Sequence, residues 1–189
     1  MLSSSYIPLG NAHFPPYQGR QHYMHSFDLA APKMLPGFED YAELVESLCV
    51  AAGAVWGEAH MTVDEKIVPA GMSQRRPGAH VDGCFRKETM DWSHGPRPRP
   101  GWLHYCNYLP VQRMAVIVAA SVPGCKVYPG EFDGRPSPTG DLEHIREQLG
   151  NGILLPANQG FVLSPDCVHE SVVFGEATRR QFLRIALPV

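Results

Sequence analysis

The chain has 189 residues, 44% hydrophobic and 19% charged, a composition that fits an ordinary folded protein and excludes a disordered one. Sixteen basic against nineteen acidic residues give a formal net charge of −3, so nucleic-acid binding, which needs a basic surface to meet phosphates, is not expected as the main task. No apolar run approaches the roughly 18 residues needed to span a bilayer, and Met1–Gly10 lacks the charged start and apolar middle of a signal peptide. Five widely spaced cysteines (Cys49, Cys84, Cys106, Cys125 and Cys167) form no Cys-x-x-Cys pair and read as reduced thiols, which points to the cytoplasm and away from membranes.

Eighteen glycines and eighteen prolines punctuate short segments along most of the chain, the pattern of a strand-rich fold with many turns. One domain is expected over 1–189. Residues 1–38, rich in Pro, Tyr, His and Phe, read as a wrapping arm with a short strand near Ser26–Leu29. Phe38–Ala54 is the clearest helix: Leu44, Val45, Leu48 and Cys49 fall at helical spacing, Glu39 and Asp40 stand near its start, and Gly53 near its end. Met61–Ala70 reads as a strand, Arg86–Gly101 as a polar loop, and Gly101–Leu109 and Arg113–Val122 as strands, the second apolar enough to be central. Gly124–Phe132 reads as a turn with a short strand at Lys126–Tyr128. Thr139–Leu149 reads as a short helix. Ile153–Leu155, Gly160–Leu163, Val168–Phe174 and Arg180–Pro188 look like four closing strands. The expected fold is mainly β, a sheet sandwich or barrel with a few supporting helices and a core over 60–189.

His80-Val81-Asp82 carries the first chemical signal. In an extended segment residues i and i+2 point to the same side, so both side chains can reach one metal ion. A His-x-Asp triplet has little weight alone. The third ligand must come from elsewhere, and His169 is the best candidate, placed after the turn signal Ser164-Pro165-Asp166 and before the apolar Val172–Phe174. Two imidazoles and one carboxylate leave open positions on an octahedral ion, the facial triad of non-haem Fe(II) oxygenases. Near the C-terminus, alternation puts Arg180, Phe182, Arg184 and Ala186 on one strand face and Leu183, Ile185 and Leu187 on the other. A guanidinium offers a planar fork for a carboxylate. Arg179 competes with Arg180, because a register slip of one residue exchanges the faces.

The order His-x-Asp, a distant His, then an Arg on the next strand resembles the 2-oxoglutarate/Fe(II)-dependent dioxygenase superfamily. Leu155–Pro165 resembles the strand-turn-strand that leads to the distal His of that family. Arg179-Arg180 followed by Arg184 resembles the tail of its taurine dioxygenase branch. The resemblance covers about residues 60–189 at motif level. It implies a double-stranded β-helix, a jelly-roll or cupin-like barrel. It also implies Fe(II) on His80, Asp82 and His169, 2-oxoglutarate as co-substrate with its far carboxylate on Arg180, and Arg184 as a contact to an anionic substrate group. The partners implied are O₂ and a small-molecule substrate, with hydroxylation as the reaction.

Tyr105 and Asn107 alternate on Gly101–Leu109 and could hydrogen-bond 2-oxoglutarate, or could be ordinary strand residues. The 86–101 loop, with Trp92, His94, Arg97 and Arg99, is either a lid over the metal mouth or a connector. Gln74, Arg75 and Arg76 read best as a solvated charge cluster. His13, His22, His25, His60 and His144 read as surface or packing residues. Two rival functions remain open. A cupin-like metalloenzyme that does not use 2-oxoglutarate would release no succinate from it, and a non-catalytic ligand-binding barrel would take up neither iron nor the oxo acid.

Overall fold

Strands carry most of the regular structure in the computed structural model, which describes residues 1–82, 114–137 and 140–188. In chain order they are β1 (Leu2–Ser4), β2 (Tyr6–Asn11), β3 (Gln21–Asp28), β4 (Glu58–Val68), β5 (Met114–Ala120), β6 (Cys125–Tyr128), β7 (Gly130–Phe132), β8 (Ile153–Leu154), β9 (Gln159–Leu163), β10 (Val168–Ser171) and β11 (Thr178–Pro188). Among the described residues, the α-helix α1 (Ala42–Ala51) follows a 3-10 turn at Glu39–Tyr41, and another 3-10 segment spans Glu143–Gln148. The mainly β class expected from the sequence is the class observed. Six strands form an antiparallel sheet in the order β2-β9-β5-β11-β4-β3, three form β10-β6-β8, and β1 pairs with β7.

The last strand shows how sequence alternation sets the layers. Leu183, Ile185 and Leu187 of β11 join Met61, Val63, Ala115, Ile117 and Ala119 on one face of the large sheet, where Leu44, Val45, Leu48 and Cys49 of α1 cover them. Fully burying one such side chain stabilises the fold by about 1.5–3 kcal/mol before entropy is charged against it. α1 ends where the chain reaches Gly53, at φ +70°. The Gly53 amide donates to the Val50 carbonyl and the Ala54 amide to that of Cys49, the paired bonds of a Schellman motif, which requires a left-handed residue at that position. On the opposite face of the sheet, Met114, Val116, Val118, Phe161, Leu163, Phe182 and Ala186 pack with Val127 of β6 and with Cys167. The two sheets therefore face each other as a sandwich. A third cluster lies outside the small sheet, where Leu142, Ile145 and Leu149 cover Ala79, Val81, Tyr128 and Val168.

The arm at 1–38 departs from expectation, since it contributes three strands. β3 is longer than the short strand expected there. β2 and β3 form the two edges of the large sheet, paired with β9 and β4. Both carry register shifts, at Pro8/Gly10 and at His22/His25. Edge strands with bulges lose clean alternation, so pairing in three dimensions defines them where periodicity does not. Within the expected turn at Gly124–Phe132, the short strand expected at Lys126–Tyr128 is β6, and a second strand, β7, follows it. The expected helix at Thr139–Leu149 is a 3-10 segment over Glu143–Gln148.

Candidate metal centre

A cross-strand pairing builds the site. The extended segment around His80 runs antiparallel beside β10, with His80 directly opposite His169. Each amide donates to the other's carbonyl at 2.9 Å. Residues opposed in such a pair project to the same side of the sheet, so the register alone brings two imidazoles together, with ring centroids 4.4 Å apart. Asp82, two residues on, projects the same way, and its Oδ2 lies 3.7 Å from His169 Nε2. The potential ligand atoms of His80, Asp82 and His169 all lie within 4.8 Å of one another. These three side chains could hold a metal ion.

The electrostatics suit a ligand set. His80 Nδ1 lies 2.7 Å from the Gly78 carbonyl and His169 Nδ1 lies 2.9 Å from that of Cys167. In the tautomer that satisfies both carbonyls, Nδ1 carries the proton and each Nε2 keeps its lone pair. Burial, with the neighbouring His169 adding to it, pulls the His80 imidazole down to about 4, so it is neutral, the ligating form, near pH 7. Burial opposes ionisation of Asp82, yet Arg184, His169 and His80 outweigh it and hold the carboxyl well below the usual carboxylate range. A pre-ionised carboxylate and a neutral His80 leave few protons for a cation to displace at these two positions.

Among the described residues, Arg75, Arg76, Arg180 and Arg184 line the surrounding pocket. Arg180 is only 1% exposed. Its Nε donates to the Val122 carbonyl at 2.8 Å and its Nη1 to Gln74 Oε1. Phe182 and Phe174 flank its guanidinium at 5.4 and 5.9 Å. Among the described residues no carboxylate comes within 4.0 Å of it, and burial pushes it down to about 10, still charged at neutral pH. Arg184, by contrast, gives its Nε to Asp82 Oδ2 at 2.8 Å. Arg179 points to the other face of β11, over the ring of Tyr17. The pocket face thus carries Arg180 and Arg184, in the alternation expected from the sequence.

A clamp on the outer side fixes both ligand segments. Glu143 accepts a hydrogen bond from the Ala79 amide, next to His80. Arg146 donates to Glu143, to Glu170 Oε2 at 2.7 Å and to Tyr128 Oη at 2.9 Å, and Glu170 is next to His169. Gly78 takes φ +80°, a left-handed backbone that a side chain would strain, and a Cβ there would press on the Glu143 carboxylate at 2.9 Å.

Of Gln74, Arg75 and Arg76, expected as a solvated cluster, Arg76 is exposed and pairs with Asp141, but the other two are not exposed. Gln74 is buried and holds Arg180, its amide nitrogen donating to the Asp64 carbonyl at 2.6 Å. Arg75 lies between the rings of Tyr23 and Phe182, each 5.5 Å away, and 3.6 Å from Asp64. Sequence spacing missed these contacts because they depend on how the 69–79 segment folds back over β4. It also missed Met24, which the β3 bulge delivers to the pocket at φ +58°; a non-glycine residue forced to positive φ has no simple sequence signature. His60 is buried, as one of the two roles expected for it allows. Tyr105, Asn107 and the 86–101 loop lie outside the described residues. The sequence matches no protein-family model and no curated protein.

Proposed function

We propose that this protein is a non-haem Fe(II)- and 2-oxoglutarate-dependent oxygenase that hydroxylates an anionic small molecule. The observation that carries the reading is a pair of features in one pocket. The His80, Asp82 and His169 donor set is poised for a cation, and Arg180 is a buried cation to which the described part of the chain brings no carboxylate within 4.0 Å. The first leaves an octahedral ion open positions. The second suits the far carboxylate of a dicarboxylic oxo acid, since an uncompensated buried charge is costly until an opposite charge arrives. The sandwich of antiparallel sheets is compatible with the double-stranded β-helix that the sequence resemblance implies.

Fe(II) together with 2-oxoglutarate would supply oxygen activation and C–H hydroxylation. The chain's own groups do the positioning. Backbone carbonyls of Gly78 and Cys167 orient the two imidazoles. Gln74 and the Val122 carbonyl orient the Arg180 fork, while Phe174 and Phe182 screen it from water. Val118, Met114 and Phe182 give the pocket an apolar wall against which a C–H bond can lie. Arg75 and Arg76, though paired with Asp64 and Asp141, place two guanidinium groups at the pocket, which favours an anionic substrate.

Purified protein incubated with Fe(II), ascorbate and 2-oxoglutarate should release succinate and CO₂. His169→Ala should lose iron retention and turnover together. An iron-loaded, active His169→Ala enzyme would refute the ligand set, and iron uptake without 2-oxoglutarate consumption or binding would favour a cupin-like metalloenzyme of another type.

A further inference from the structure

Arg184 occupies a position that the tail resemblance gives to a substrate contact, yet its guanidinium is already engaged. Nε donates to Asp82 Oδ2 at 2.8 Å, the same oxygen that lies 3.7 Å from His169 Nε2. Nη1 lies 3.6 Å from Met24 Sδ. The side chain is 13% exposed. Its surroundings are fixed in turn: Thr62, the cross-strand partner of Arg184, receives the Met24 amide on Oγ1 at 3.2 Å and sets its hydroxyl 3.8 Å from Met24 Sδ.

We propose that Arg184 is a positioning residue for the metal-binding carboxylate, holding Asp82 turned toward His80 and His169, and not a contact for the substrate's anionic group. An aspartate has two oxygens and two rotatable bonds, and Asp82 is the most exposed of the three ligands. One charge-assisted hydrogen bond to a rigid fork fixes which oxygen faces the imidazoles. The geometry supports this role more directly than substrate binding, because a substrate anion at Arg184 would have to compete with Asp82 for the same guanidinium. Arg180 differs here, since the described residues give it neutral acceptors only. The inference rests on the metal-binding reading of the triad and adds to it a defined supporting residue.

Co(II) is a suitable probe, because its visible absorption reports the geometry of its ligands. Wild type, Arg184→Gln and Arg184→Lys are titrated with Co(II) by calorimetry and absorption, and 2-oxoglutarate is then titrated into each at saturating Co(II). Loss of an outer-shell partner should weaken Co(II) binding by about 10–100-fold in Arg184→Gln and alter the visible band. Arg184→Lys, which keeps the charge and the packing stem but loses the fork, should fall between. 2-Oxoglutarate affinity should stay near the wild-type value in both. If both variants bind Co(II) within about twofold of wild type with the same spectrum, the positioning role is overturned while the metal site stands. If wild type takes up no Co(II), the metal reading itself fails and the proposal falls with it.

Discussion

Two buried charged centres lie back to back on β4 and β11. One faces α1 and the N-terminal arm, and the other faces the pocket. Glu65 and Gln181 are cross-strand partners, and the adjacent pair is Lys66 with Arg180. On the α1 side the Glu65 carboxylate receives five hydrogen bonds. Oε2 takes the Gln18 and Arg20 amides at 2.7 and 3.0 Å, and Oε1 takes Tyr41 Oη at 2.8 Å, Arg20 Nη2 at 3.2 Å and Gln181 Nε2 at 3.3 Å. The chain therefore completes this charge itself, and in doing so ties the arm, the turn before α1, β4 and β11 together. On the pocket side Arg180 hydrogen-bonds neutral acceptors only, and Asp64, the buried carboxylate that acts on it, does so from beyond 4.0 Å. A buried charge that the fold completes serves stability, and one left without a directly bonded counter-charge is placed to meet a ligand.

The largest expected effect that sharpens this contrast is on the self-completed side. Glu65→Ala leaves a cationic Arg20 and four other donors around an empty position, and should cost about 3–5 kcal/mol of unfolding free energy, measured by urea denaturation. Metal uptake by the remaining folded protein should not change. Arg180→Met should reverse the pattern. Stability should stay within about 1 kcal/mol, because a buried cation is exchanged for an apolar side chain of similar length. Affinity for 2-oxoglutarate, measured calorimetrically on metal-loaded protein, should fall by about 2–4 kcal/mol, roughly 30- to 1000-fold. A strongly destabilised Arg180→Met with normal 2-oxoglutarate affinity would make Arg180 a structural residue and erase the distinction.

Acid separates the two centres by a smaller margin. Burial works to raise the Glu65 carboxyl, but the Arg20 and Gln18 amides, the Tyr41 hydroxyl and the Arg20 guanidinium outweigh it and leave it below the ordinary 4.5. A carboxylate lowered by folding contributes stability that is fully present above its unfolded value and is lost as pH falls through its folded one. Wild-type unfolding free energy should therefore drop on acidification below about pH 4.5, and the slope should be shallower in Glu65→Gln by at most one proton. Equal slopes would remove Glu65 from the acid response.

Much of the pocket-facing centre was legible in the sequence. The reason is that strand geometry is periodic: His80 with Asp82 and Arg180 with Arg184 sit at spacings of two and four, which fix a shared face before any tertiary contact is known. The Glu65 hub was not legible. Its donors come from Gln18, Arg20, Tyr41 and Gln181, four positions with no common spacing, and two of them donate through backbone amides that any residue carries. Gln74 and the Glu143, Arg146 and Glu170 clamp escaped for the same reason, since they act across chain segments. β2 and the first part of β3 escaped because a bulged edge strand has no strict alternation to read.

The smallest expected effect comes from a single methyl group. Gly124 has an ordinary backbone conformation, so its role is space and not flexibility: a Cβ there would stand 2.9 Å from Arg180 Nε, 2.9 Å from Phe174 Cζ and 3.0 Å from Arg180 Cζ. The backbone cannot easily retreat, because the Gly124 carbonyl accepts from the Val172 amide at 3.1 Å and from Ser171 Oγ at 3.3 Å. The Arg180 guanidinium or the Phe174 ring must give way instead. Gly124→Ala should destabilise the fold by about 1–3 kcal/mol, the usual cost of overpacking, and should also weaken 2-oxoglutarate binding, because moving the guanidinium breaks its alignment with Gln74 and the Val122 carbonyl. Thermal denaturation and calorimetry on the same preparation read both effects. The corresponding insertion on the α1 side is Gly160→Ala, where a Cβ would collide with Leu48; it should lower stability alone. Equal losses of 2-oxoglutarate affinity in the two variants would mean that binding follows general stability and not the placement of Arg180.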